Sequence, residues 1–237
     1  MDAVKEFWNL AGLRYKSHPW HGIKIGEQSP EIINAFIEIV PSDTVKYELD
    51  KETGYLKVDR PQKFSNIIPA LYGFVPQTYS GTRVAEYCNL KTGRENIIGD
   101  SDPIDICVLS ERLITHGDII VHAVPIGGFR MIDGGEADDK IIAVLQEDEV
   151  YDWHDISDCP ASLITRLKHY FLTYKDLPGK NSSRCEITHV FGREEAHEII
   201  KLGNKDYKEK FGNIENKMSL AAMEAINFGR DLRDKKK

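Results

Sequence analysis

The chain has 237 residues, 41% of them hydrophobic, which suits one large domain and is too apolar for a disordered chain. Asp and Glu number 38 against 31 Lys and Arg, a formal net charge of −7 that speaks against nucleic acid or a membrane surface as partner. Cys88, Cys107, Cys159 and Cys185 are scattered without a Cys-x-x-Cys pair, which excludes the usual zinc-finger and redox spacings and fits reduced thiols in a cytoplasmic protein.

The opening residues, MDAVKEFWNL, show no apolar run behind basic residues, so no secretory signal is expected, and no apolar stretch is long enough for a transmembrane helix. The segment to Pro30 is expected to be irregular, with a short helix. Strands are expected over Ala35 to Val40, Val45 to Leu49 and Tyr55 to Val58, the last two joined by a hairpin-like turn at Asp50 to Gly54. Tyr79 to Asp100 is polar and charged and reads as a surface insertion. Further strands are expected over Asp105 to Leu109, Asp118 to Val124 and Lys140 to Leu145. Helices come late. Leu163, Leu167, Phe171 and Tyr174 recur at helical spacing, with Asp158 as cap, Pro160 in the first turn and a stop at Asp176 to Gly179. Glu194 to Lys210 and Ile214 to Leu232 are expected to be helical, the latter with an apolar face at Met218, Ala222, Ala225 and Ile226. The closing Lys235, Lys236 and Lys237 read as a solvated terminus. Short strands followed by helices point to a mainly β or α+β fold, a small barrel or closed sheet with helices.

The sharpest chemical signal is Asp100-Ser101-Asp102-Pro103-Ile104-Asp105, entering a strand. Three carboxylates this close repel one another and persist when solvated or neutralised by cations. In an extended segment Asp100 and Asp102 point the same way, and Pro103 breaks the alternation so that Asp105 is re-aimed. Oxygen donors of this kind suit Mg²⁺. A calcium EF-hand is excluded, because Asp105 stands where that loop needs its turn Gly. A second cluster, Asp133-Gly134-Gly135-Glu136-Ala137-Asp138-Asp139-Lys140, lies between two strands, and its glycines suit a hairpin loop. Lys46 and Glu48 share one strand face, Arg60 ends the next strand, Tyr72 lies in an apolar stretch and Tyr174-Lys175 closes a helix. Cationic donors facing a metal-filled acidic site are what a compact polyanion requires.

On these motifs the chain resembles the soluble family I inorganic pyrophosphatases. The family signature D-[SGDN]-D-[PE]-[apolar]-D-[apolar] is matched by DSDPIDI at Asp100 to Ile106. The surrounding order is kept too: IEIVP at Ile37 to Pro41, VKYELDKETG at Val45 to Gly54, VDR at Val58 to Arg60, YGFVPQT at Tyr72 to Thr78, MIDGGEADDK at Met131 to Lys140 and HYFLTYKDL at His169 to Leu177. The resemblance covers about 35–177, the motif-bearing core; a single domain over residues 1–237 is expected, with a C-terminal helical extension at about 194–237 that rests on no family motif. The resemblance implies an OB-like five-stranded β-barrel with flanking α-helices, assembled as a homo-oligomer in the cytoplasm. The implied reaction is Mg²⁺-dependent hydrolysis of pyrophosphate to two orthophosphates by a metal-activated water, with several ions per site and no covalent intermediate. Asp100, Asp105, Asp133 and Asp138 match the metal ligands, and Asp102 the general base. Lys46, Arg60, Tyr72, Lys140, Tyr174 and Lys175 match the phosphate contacts, with Glu38 and Glu48 as supporting carboxylates. Two positions depart: Gly134 and Ile68 stand where many members carry an acid and a tyrosine. The rival readings are a non-catalytic OB-type nucleic-acid or oligosaccharide-binding module and a phosphohydrolase acting on nucleotides or polyphosphate.

Overall fold

The computed structural model describes residues 15–175, 185–212, 216–224 and 227. Its centre is a closed ring of five strands: β1 (Ile33–Ile39), β4 (Leu71–Phe74), β6 (Asp105–Leu109), β9 (Lys140–Leu145) and β7 (Ile119–Asp133). Each pairs with the next in that order, and β7 returns to β1, so the ring exposes no strand edge. β6 and β9 run parallel, with Asp105 opposite Lys140; the other ring pairs are antiparallel.

The ring strands are apolar on both faces because both are covered. On β6 and β9, Ile106, Val108, Ile141 and Ala143 join one core cluster, while Cys107, Leu109, Ile142 and Val144 join another. The first cluster packs under α1 (Thr82–Thr92) and α3 (Arg193–Phe211), through Val84, Cys88, Ala196, Ile199 and Ile200. The second packs under α2 (Ala161–Thr173), through Leu167, Tyr170 and Phe171. β2 (Val45–Leu49) and β3 (Leu56–Pro61) form a separate hairpin. Its turn is closed by Gly54 N–H on the Asp50 carbonyl at 2.8 Å and by Thr53 on the Asp50 carboxylate.

Several expectations need correction. The insertion at 79–100 is not merely surface: it holds α1 and β5 (Ile98–Gly99), and it buries Ser80, Val84, Cys88 and Ile97. β7 does not stop at Val124 but runs to Asp133 through a register shift between Pro125 and Gly127. β4 and β10 (Cys185–Gly192), the latter paired with β7, were not anticipated as strands. Pro160, not Asp158, caps α2; Asp158 belongs to a preceding 3-10 turn whose cap is Asp155. The Asp100 segment is a turn rather than extended: Asp102 N–H donates to Asp100 Oδ1 at 2.9 Å, with Ser101 at φ 67°. Residues 216–224 are helical, with Met218 exposed, while Ala225, Ile226 and Asp176 to Gly179 lie outside the described residues.

Candidate active site

One end of the ring opens into a cleft of about 280 Å³. All five ring strands send a side chain into it: Glu38 from β1, Tyr72 from β4, Asp105 from β6, Asp133 from β7 and Lys140 from β9. Lys46 and Glu48 come from β2, Arg60 from β3, Asp100 and Asp102 from the turn before β6, Asp138 from the turn before β9, and Tyr174 and Lys175 from the end of α2. Every residue given a metal, phosphate-binding, base or supporting role from the motifs therefore lines one cavity, although the sequence spreads them over more than 130 positions.

The centre is built by strand register. Because Asp105 and Lys140 are partners in the parallel ladder, Lys140 Nζ meets Asp105 Oδ2, and it also lies 2.5 Å from Asp138 Oδ1. Burial would lower the Lys140 pKa, but Asp105 and Asp138 outweigh it and hold the ammonium charged. Asp139, between the two cleft residues, points instead into the core, where the buried Arg130 holds it at 2.6 Å and reaches Glu195 at 2.7 Å. At the cleft wall, Asp59 accepts from Lys46 Nζ at 2.8 Å and from Arg60, whose backbones are partners across the hairpin. Burial would raise the Asp59 pKa, but the Lys46 hydrogen bond and the nearby cations hold it below the usual carboxylate range. Lys175 meets Asp133, and Lys51 meets Asp102.

The carboxyls in the deepest positions resist ionisation. Burial, followed by the charge of Asp138, raises the Asp100 pKa; burial also raises that of Asp138, against the pull of Lys140. Glu38 is pushed up to about 8 by burial, against the hydrogen bond that Leu49 N–H gives it at 2.7 Å. Divalent cations relieve this cost, and the donors are all hard oxygens, the chemistry Mg²⁺ takes. Among the described residues no three carboxylate, imidazole or thiol groups already converge as a ligand set. Lysines instead occupy Asp102, Asp105, Asp133 and Asp138, so metal loading requires side-chain shifts there. The residues present fit a divalent cation on donor type and on charge.

The cleft also contains Lys51, Trp20, Glu136 and Tyr170, which the motifs did not mark as functional. Lys51 sits in what reads as a solvated hairpin turn, and Trp20 in a segment without periodicity; neither carries a local signal. Gly134 and Gly135 form the two-residue loop between Asp133 and Glu136, with φ 62° and 93°, a turn in which both central residues favour glycine. Ile68 is fully buried in the core cluster under α2, so it serves packing.

The family model of inorganic pyrophosphatases matches residues 35–208. An inorganic pyrophosphatase of Chlamydia muridarum is 53% identical over 82% of this chain and 95% of its own length. One of Chlamydia caviae is 52% identical over 82% and 92%. Among solved structures, the inorganic pyrophosphatase of Thermus thermophilus is 28% identical with a TM-score of 0.67, covering 81% of this chain and 99% of that one. The Helicobacter pylori enzyme is 29% identical with a TM-score of 0.63, covering 78% and 98%. These likenesses extend over the ring and the cleft alike, and the chain belongs to the inorganic pyrophosphatase family, the inorganic diphosphatases.

Proposed function

We propose that this cleft hydrolyses pyrophosphate to two orthophosphates with Mg²⁺, by direct attack of water. The observation that supports it best is the convergence of four candidate metal carboxylates and six cationic or phenolic donors in one cavity. Asp100, Asp105, Asp133 and Asp138 would hold the ions. Bound Mg²⁺ supplies charge neutralisation of the phosphoryl oxygens and acidifies water.

The chain's own residues do the rest. Lys46, Arg60, Lys140 and Lys175 bind and orient the two phosphates and offset their charge. Tyr72 and Tyr174 donate hydrogen bonds to the phosphates; burial raises both phenol pKa values, reinforced at Tyr72 by Asp105 and Asp138 and opposed at Tyr174 by Lys140, so both remain protonated. Asp102 orients the attacking water and accepts its proton. The proposed route is direct attack of water, with no covalent intermediate.

The test is phosphate release from pyrophosphate, ATP and tripolyphosphate, each with Mg²⁺ and with EDTA. Pyrophosphate with Mg²⁺ alone should give rapid release. Equal turnover of ATP, or turnover that survives chelation, would overturn the reading. Two further expectations accompany it. The four free, buried thiols suit a reducing cytoplasm, and homo-oligomers should give a light-scattering mass above the 27.0 kDa of one chain. No helix among the described residues is long and apolar enough to cross a membrane.

A further inference from the structure

Ser80 stands where the two acidic loops meet. It is 3% exposed and uses all three of its polar groups. Its N–H donates to the Asp102 carbonyl at 2.7 Å, and its own carbonyl accepts from Ser101 N–H at 3.2 Å. Its hydroxyl donates across to the Ala137 carbonyl at 3.1 Å. The first two bonds hold the loop that carries Asp100 and Asp102. The third holds the residue next to Asp138.

The residue is itself firmly anchored. Tyr79 N–H donates to the Gly203 carbonyl of α3 at 2.9 Å, and Tyr79 Oη donates to Ser101 Oγ at 3.0 Å. One residue before Tyr79, Thr78 Oγ1 accepts from Ile104 N–H at 2.9 Å. Beside Ser80, β5 pairs with β8 (Glu136–Ala137). Gly99 permits that closeness, because a Cβ there would stand 2.1 Å from the Ser80 carbonyl.

A tie between these loops answers a physical need. Once ionised to take a cation, Asp100, Asp102 and Asp138 share the same charge, and repulsion across a half-buried cleft then works against keeping the loops together. A hydroxyl is a small neutral donor, so it links them without adding charge. We infer that Ser80 is a positioning residue for the metal-binding carboxylates, its hydroxyl holding the Asp138 loop in register with the Asp100–Asp102 loop. This rests on the proposed Mg²⁺ site.

The experiment is Mg²⁺ binding without pyrophosphate, by calorimetry and by the Mg²⁺-induced rise in Tm, for wild type, Ser80→Ala, Ser80→Cys and Thr92→Val. Thr92→Val removes a comparable bond on the same insertion, Thr92 Oγ1 to the Cys88 carbonyl at 2.7 Å, away from both loops. Ser80→Ala should weaken Mg²⁺ binding by about 3- to 10-fold, the size of one net hydrogen bond. Ser80→Cys, with a weak S–H donor, should fall between it and wild type, and Thr92→Val should bind as wild type does. Wild-type affinity in both Ser80 variants, whatever their Tm, would overturn the role of Ser80 and leave the metal site standing. A wild-type chain that does not bind Mg²⁺ would overturn the metal site and this inference together.

Discussion

Tyr72 Oη donates to Asp105 Oδ2 at 2.5 Å, and Lys140 Nζ meets that same oxygen. One carboxylate oxygen thus collects a phenol from the antiparallel neighbour β4 and an ammonium from the parallel neighbour β9. Three adjacent strands of the ring set this geometry. Tyr72→Phe keeps the ring beside Phe171, 6.0 Å between centroids, and removes only the donor. Turnover should fall by about 10²–10³-fold, as for loss of one donor aimed at developing charge. Steady-state kinetics at saturating Mg²⁺ check this; unchanged kcat would take the phenol out of the reaction.

Asp59 governs the opposite wall. Lys46 and Arg60 are like charges that would separate if the shared carboxylate between them were absent. Arg60→Ala should weaken turnover strongly without loss of fold, since solvent does not replace a positioned guanidinium. Asp59→Asn should raise KM more than it lowers kcat, because it loosens both cations and removes neither. Wild-type kinetics in Arg60→Ala would remove that residue from the site.

Glu38 makes the chain's stability depend on pH. Its pKa is raised from the ordinary value to about 8, chiefly by burial, with Asp105 and Glu48 adding and Leu49 N–H and Lys46 opposing. A carboxyl whose folded pKa lies above its unfolded value stabilises the fold fully below the unfolded value, and that contribution is lost as pH rises through about 8. Glu38→Gln keeps an acceptor for Leu49 N–H and cannot ionise. Without Mg²⁺, its Tm should match wild type near about pH 4 and exceed it near about pH 9. Parallel Tm curves for the two proteins would show that Glu38 does not carry this dependence.

How much of this was legible in the sequence depends on where each residue's signal lies. β6 and β9 read correctly because both faces are buried, which leaves apolar runs bounded by Asp105 and Lys140. β7 read short because Pro125 and Gly127-Gly128 look like a break, whereas the strand absorbs them as a register shift. α1 was hidden because its buried residues, Val84, Ala85 and Cys88, are few among polar ones. β10 was missed because Glu186, Thr188 and His189 alternate with a shifted register and read as polar loop. In the site, the signature aspartates were legible as a dense local cluster. Lys51, Asp59 and Ser80 were not: Lys51 and Ser80 act through partners distant in sequence, Asp59 through the pairing of the β2–β3 hairpin, and only the fold makes those contacts.

Asp102 and Asp105 are chemically alike, yet the fold treats them differently. Asp105 opens β6 and is fixed between Tyr72 and Lys140, its side chain 23% exposed. Asp102 lies on the turn, its side chain 41% exposed, with the half-exposed Lys51 as partner. A carboxylate clamped by two donors suits a metal ligand, whereas one at the mouth with a movable partner suits proton exchange with water. Asp105→Asn should therefore weaken Mg²⁺ affinity as well as rate. Asp102→Asn should mainly lower kcat, by about 10²–10⁴-fold for loss of a general base, with a smaller change in Mg²⁺ affinity. The acidic limb of the rate profile should also move in Asp102→Asn, although so many coupled carboxylates make that limb a property of the whole cluster. The pair of Mg²⁺ affinities decides the matter. Equal loss of metal binding and of rate in both variants would make Asp102 one more ligand and place the base elsewhere in the cleft.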